Sequence, residues 1–158
     1  MQENQFSRVL VALDGSTSSM HATDYAISIA MKNDSQLIVL YVIDFYKYSH
    51  ISSSIILAPT FGSEKYLEEK SEAEKLMNKI KEKFKLKIKG DMKSKELKTE
   101  IVEGAKSVAA TIMEYAESEN IDLIIIGSRG RTSFKKLLLG SVSSSIIKNA
   151  HCAVLIIR

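Results

Sequence analysis

The chain has 158 residues, 45% of them apolar and 26% charged, with a formal net charge of +3. That composition fits an ordinary globular fold with a buried core, expected as one domain over residues 1–158. It contains no run near the ~20 apolar residues that span a bilayer, and its low net charge argues against a surface built for polyanions.

Cys152, the single cysteine, cannot form an intrachain disulfide, which suits a reducing compartment. The opening MQENQFSRVL lacks the basic and apolar regions of a signal peptide. The expected location is the cytoplasm.

RVLVAL (8–13) is the first apolar run. It is rich in Val and Leu without clean alternation, as expected of a strand covered on both faces. A helix should follow over 18–32, where Ala22, Ala26, Ile29 and Ala30 recur at spacings of three and four; Ser16, Thr17 or Ser18 could cap it. QLIVLYVI (36–43) is a second buried strand. The interval 45–63 then reads as one long connection holding the only proline, Pro59, either a functional lid or a disordered segment.

From 63 to about 85, Tyr66, Ala73, Met77, Ile80 and Phe84 mark one helical face. Lysines at every second position from Lys79 to Lys89 also allow a strand, but the intrinsic preferences of EKYLEEKSEAEKLMNKIKEK favour helix. Acidic neighbours at Glu72, Glu74, Asp91 and Glu96 make these lysines a solvated face in preference to a polyanion site.

LKTEIVEG (97–104) is a weaker strand candidate. A helix over 105–118 follows, striped by Val108, Ala109, Ile112, Met113 and Ala116, then the strand IDLIIIG (121–127). A last helix over 141–149 leads to the strand CAVLIIR (152–158). Such alternation implies an α/β domain with a parallel sheet and helices on both faces.

In such a sheet, ligands bind beyond the carboxyl ends of the strands, where the strand order reverses. Two strand ends carry unusual chemistry: VALDGSTSS after the first and IIIGSRGRTS after the fourth. If these strands are neighbours with opposite crossovers, the two loops face one crevice. Glycines at 127, 130 and 140 would let main-chain N–H groups approach phosphate oxygens. Ser141, opening the last helix, would add a hydroxyl and free first-turn amides. Arg129, Arg131, Lys135 and Lys136 bring positive charge, and Asp14 could accept a ribose hydroxyl or hold a metal ion. Each feature also has a plain structural reading: glycines make turns, and Asp-Gly-Ser caps helices.

Other constellations are missing. The chain has no G-x-x-x-x-G-K-[ST], no G-x-G-x-x-G and no G-x-S-x-G. His21, His50 and His151 are scattered, and His151-Cys152 is not metal-ligand spacing. Cys152 reads as a small core residue.

Gly127-Ser128-Arg129-Gly130, nine residues, then Gly140-Ser141 resembles the G-2x-G-9x-G-[ST] signature of the ATP-binding universal stress proteins. RVLVALDGSTSS, LIVLYVID and HCAVLIIR are similar to that family's first strand and Asp loop, its second strand and its final strand. The resemblance covers nearly the whole chain and is weakest between Tyr46 and Leu97.

It implies an open five-stranded parallel sheet of order 3-2-1-4-5, a Rossmann-like arrangement of the adenine nucleotide alpha hydrolase-like kind. The implied ligand is ATP with Mg2+ or Mn2+. The main chain at Ala12 and Val42 would flank the adenine. Leu13, where the family varies, leads into Asp14, which would approach the ribose and phosphates through the metal ion. Gly127, Ser128, Arg129, Gly130, Arg131, Thr132 and Ser133, with Gly140, Ser141, Val142 and Ser143, would wrap the ribose and phosphate chain.

The implied function is nucleotide-dependent regulation in stress survival, with at most slow ATP hydrolysis. An adenylyl-transferring or ATP-hydrolysing enzyme on the same fold is the alternative. A nucleic-acid-binding module using Lys79–Lys89 comes last, given the low net charge and sparse aromatics. The family pairs its last strands antiparallel, which implies a homodimer through residues 152–158. An uncovered apolar edge strand there would invite aggregation.

Overall fold

The computed structural model describes residues 6–44, 46–49, 59–88, 96–104, 106–131 and 139–158. Five strands and five helices follow in the order β1 (Arg8–Ala12), α1 (Thr17–Asn33), β2 (Gln36–Asp44), α2 (Tyr46–Ser49), α3 (Pro59–Lys87), β3 (Leu97–Gly104), α4 (Val108–Ser118), β4 (Leu123–Gly127), α5 (Ser141–Asn149) and β5 (Ala153–Ile157). The strands form one sheet of order β3-β2-β1-β4-β5 with every pair parallel. This is the Rossmann-like architecture expected above.

Successive strand residues point to opposite faces, and here both faces are covered. Val9, Val11, Leu123 and Ile125 pack against α1 and α3, which supply Ala22, Ala26, Ile27, Ala73, Met77, Ile80 and Phe84. Leu10, Ala12, Ile124 and Ile126 pack on the other side against Ala109, Ile112 and Ala116 of α4 and Ile146 of α5. This explains why the central strands read as continuous apolar runs. Each fully buried side chain of this size stabilises the fold by about 1.5–3 kcal/mol.

Of the three hydroxyls that could cap α1, Ser16 does so, accepting from the Ser19 amide. Ser107 caps α4 in the same way through the Ala110 amide. Helix α3 starts at Pro59, so residues 59–63 belong to the helix and not to the preceding connection. Proline suits a first helical turn, where no intrahelical N–H is needed. α2 occupies 46–49; the rest of the expected 45–63 connection, residues 45 and 50–58, lies outside the described residues.

Lys79, Lys81, Lys85 and Lys87 are exposed on α3, while Lys83 pairs with Asp24 of α1. The lysines thus lie on the solvated surface of a helix and not along a strand; Lys89 lies outside the described residues. Among the described residues no helix is long and apolar enough to cross a membrane.

Candidate functional site

β1 has β2 on one side and β4 on the other, with Ala12 in register with Leu40 and Ile126. The chain leaves these neighbouring strands toward opposite faces, so their carboxyl ends open a cleft. Its volume is about 290 Å³.

The β1 loop is built by short-range hydrogen bonds. The Leu13 amide donates to the Leu40 carbonyl at 2.9 Å, holding the loop to β2. Gly15 takes φ 81°, a conformation costly for any residue with a Cβ. The Ser16 amide then donates to Asp14 Oδ1 at 2.9 Å, the turn that Asp makes with its own backbone. Ser19 Oγ accepts from the Asp14 amide at 3.3 Å and donates to the Ser16 carbonyl at 3.0 Å. Asp14 is thereby fixed beside the cleft with Oδ2 toward Gly130.

The three glycines of the β4–α5 region serve different ends. A Cβ on Gly127 would lie 2.4 Å from Ser18 Oγ and 2.7 Å from the Ser18 backbone. Its bareness therefore makes room for the first turn of α1. A Cβ on Gly130 would meet Asp14 Oδ2 at 3.0 Å, so this glycine lets the two loops close on one another. A Cβ on Gly140 would find only ordinary contacts, from 3.5 Å outward. Gly140 is the N-cap of α5, with φ −64° and ψ 157°, and the helix has no side-chain cap. The first-turn amides of α5 are left to whatever enters the cleft, with the positive end of the helix dipole behind them.

Twelve of the fifteen expected site residues line this cleft: Ala12, Leu13, Asp14, Val42, Gly127, Arg129, Gly130, Arg131, Gly140, Ser141, Val142 and Ser143. Ser128 does not; it is buried and holds the loop's base. Its amide donates to the Ile157 carbonyl at 2.6 Å, and its carbonyl accepts from the Gly140 amide at 2.8 Å. Thr132 and Ser133, with Lys135 and Lys136, lie outside the described residues.

The cleft has walls that the sequence reading missed. On the α4–α5 side, Leu40, Val42, Val108, Ile112, Ile126 and Val142 make an apolar slot. In the sequence Val108 and Ile112 read only as part of a core stripe. On the α3 side stand Tyr41, Lys47 and Glu69. Tyr41 donates its hydroxyl to Glu69 Oε1 at 3.1 Å, and Tyr48 donates to Oε2. Burial, then the adjoining Glu69 carboxylate, pushes both phenols above their ordinary pKa, so both remain protonated donors.

Three carboxylates (Asp14, Asp44, Glu69) and three cations (Lys47, Arg129, Arg131) line the cleft. Arg131 reaches back to Glu72 of α3 at 3.0 Å. Among the described residues no cluster of three or more His, Cys, Asp or Glu could hold a metal ion. Asp14 offers a single carboxylate, which fits a divalent cation held mainly by a ligand's phosphates and by water.

A family model described as the universal stress protein family matches residues 5–158. A universal stress protein of Methanocaldococcus jannaschii is 35% identical over 161 residues, covering 99% of this chain and 84% of that protein. The structure of universal stress protein UspA from Lactobacillus plantarum superposes with a TM-score of 0.78 at 29% identity, covering 96% of this chain and 97% of that one. Two more distant structures share the fold. A universal stress protein in complex with cAMP gives a TM-score of 0.64 at 22% identity, covering 97% of both chains. A family protein from Arabidopsis thaliana with AMP bound gives 0.60 at 21%, covering 96% of this chain and 90% of that one.

The glycine geometry predicts a graded response to added methyl groups. Gly127→Ala forces α1 and β4 apart and should cost about 1–3 kcal/mol, lowering Tm by several degrees for a chain of this size. Gly140→Ala, at a backbone conformation open to any residue, should cost less than about 1 kcal/mol. Thermal unfolding of the two variants checks the order; equal losses would contradict it.

Proposed function

Since the chain belongs to the universal stress protein family, we propose that its cleft binds an adenine nucleotide, ATP with Mg2+ or Mn2+, and that the bound state is what regulatory partners read. The observation that carries this reading is the meeting, in one cleft, of an apolar slot, a bare glycine floor and an uncapped helix N-terminus. Their chemistries match a base, a sugar-phosphate and an anion in turn. The fold neighbours holding cAMP and AMP support adenine as the base.

On this reading the adenine lies against Val42, Val108 and Ile112, with main-chain groups of Ala12 and Val42 at its edge. The amides of Gly130, Ser141 and Val142 face the phosphates, with Arg129 and Arg131 supplying positive charge. Thr132 and Ser133 belong to the same loop by sequence. A bound divalent ion would neutralise phosphate charge next to Asp14.

The carboxylates do not favour fast hydrolysis. Glu69 has both oxygens engaged by tyrosine hydroxyls, Asp14 has one taken by the Ser16 amide, and Asp44 is also partnered, which leaves little base to activate a water. Regulation by occupancy is therefore the proposed mode.

The expected homodimer forms through β5. It is an edge strand of the sheet, and Tyr25, Leu139, Ile156 and Ile157 line a shallow groove beside it. Covering that edge with a second copy satisfies its free main-chain groups.

Thermal unfolding with Mg-ATP tests the ligand. At about 100 times its dissociation constant the nucleotide should add about 2.7 kcal/mol, a Tm rise of roughly 5–11 °C. GTP should do much less, and Gly130→Val, which drives a side chain into Asp14, should abolish the effect. No shift with any nucleotide contradicts the reading, and turnover near about 10 s⁻¹ contradicts regulation by occupancy. Light scattering tests the dimer: twice 17.6 kDa is expected, and a monomer mass at all concentrations refutes it.

A further inference from the structure

The cleft lining also includes a charged lobe on the α3 side, formed by Tyr41, Lys47, Glu69 and Arg131, which the nucleoside contacts above do not use. Glu69 organises this lobe. One carboxylate oxygen accepts from Tyr41 of β2 and the other from Tyr48 of α2. Tyr48 also meets the ring of Tyr66 edge-on, with centroids 6.1 Å apart. The short α2 is thereby tied to α3 and to the sheet. Two donated hydrogen bonds also satisfy the Glu69 charge, reducing its repulsion of a nearby anion.

Lys47 immediately precedes Tyr48, so the same clamp holds its backbone. It lines the cleft together with Asp14, Gly130 and Arg131. Its side chain is exposed, and among the described residues it forms no ion pair. Arg131, on the facing loop, is held toward this lobe by Glu72. The lobe therefore pairs a guanidinium held by Glu72 with an ammonium that forms no ion pair among the described residues, on two different elements.

We infer that Lys47 is a specificity-determining residue that binds the distal part of a phosphate chain, so the cleft selects nucleoside di- and triphosphates over monophosphates. The inference rests on the adenine-nucleotide reading above. The amides at Gly130, Ser141 and Val142 suffice for a first phosphate. A longer chain carries further charge along the cleft, and a flexible, strongly hydrated lysine suits a mobile terminal phosphate. Tyr48 and Glu69 act as positioning residues, since they hold the turn that carries Lys47.

Titration calorimetry with AMP, ADP and ATP in Mg2+ separates the two levels. Wild type should bind ATP more tightly than AMP. Lys47→Ala should weaken ATP about tenfold, the scale of one charge-assisted contact at a partly exposed site, and weaken AMP less than twofold. Lys47→Arg should restore most of the ATP affinity. The wild-type preference for ATP should also shrink as salt rises. Equal losses for ATP and AMP, or no loss for ATP, would overturn the role of Lys47 while leaving the nucleotide site standing. Equal wild-type affinity for AMP and ATP would do the same. If wild type binds none of the three, the nucleotide reading fails and this inference falls with it. An unchanged Tm of each unliganded variant confirms that the fold is intact.

Discussion

Helix α1 and strand β4 meet so closely at Gly127 that no Cβ fits between them, and the geometry of the cleft depends on that contact. Ser18, in the first turn of α1, donates its hydroxyl to the Ile157 carbonyl at 3.1 Å. The Ser128 amide donates to the same carbonyl, and Ser143 donates its hydroxyl to the Gly127 carbonyl at 2.8 Å. The end of β4 is thus pinned by α1, α5 and β5 together. Residues 128–131, launched from such a base, keep their amides oriented without a ligand, which lowers the ordering cost when one binds. The same carbonyl lies at the end of the edge strand, so the base of the glycine loop and the proposed dimer edge share one hydrogen-bonded joint.

The second wall is organised by charge. Glu69 gathers two phenols from different elements, and Arg131 crosses from the glycine loop to Glu72, so α3 is tied to both β2 and the loop after β4. These contacts are partly exposed, and each contributes modestly to stability. Their effect is on position: they set which charged groups face the cleft. One side of the site is therefore apolar and suited to a base, and the other is polar and suited to a charged tail. The division follows from which sheet face each residue of β1 and β2 points to.

The parts legible in the sequence were those set by local pattern. The buried central strands showed as unbroken apolar runs because both their faces are covered. β3 was fainter because an edge strand keeps polar positions such as Lys98, Thr99 and Glu100, each half-buried. The strand order came through family resemblance, since local periodicity carries no information on which parallel strands are neighbours. Within the site, the glycine spacing and Asp14 stood out because they act through backbone and turn chemistry. Tyr41, Lys47 and Glu69 did not. Tyr41 looked like part of an apolar run and Glu69 like one more helical acid, and they meet only because residues 28 apart fold together. The distinct role of Gly127 was also hidden: a glycine making room for a neighbouring helix looks the same in sequence as one making room for phosphate.

The proposed adenine nucleotide occupies the cleft between the β1 and β4 loops. Amide chemical-shift mapping by NMR during titration with Mg-ATP tests that placement most directly, because the proposed contacts are main-chain N–H groups. The largest shifts are expected at Gly130, Ser141 and Val142, with smaller ones at Asp14 and Val42. Shifts confined to the exposed lysine face of α3, or absent at saturating nucleotide, would contradict it.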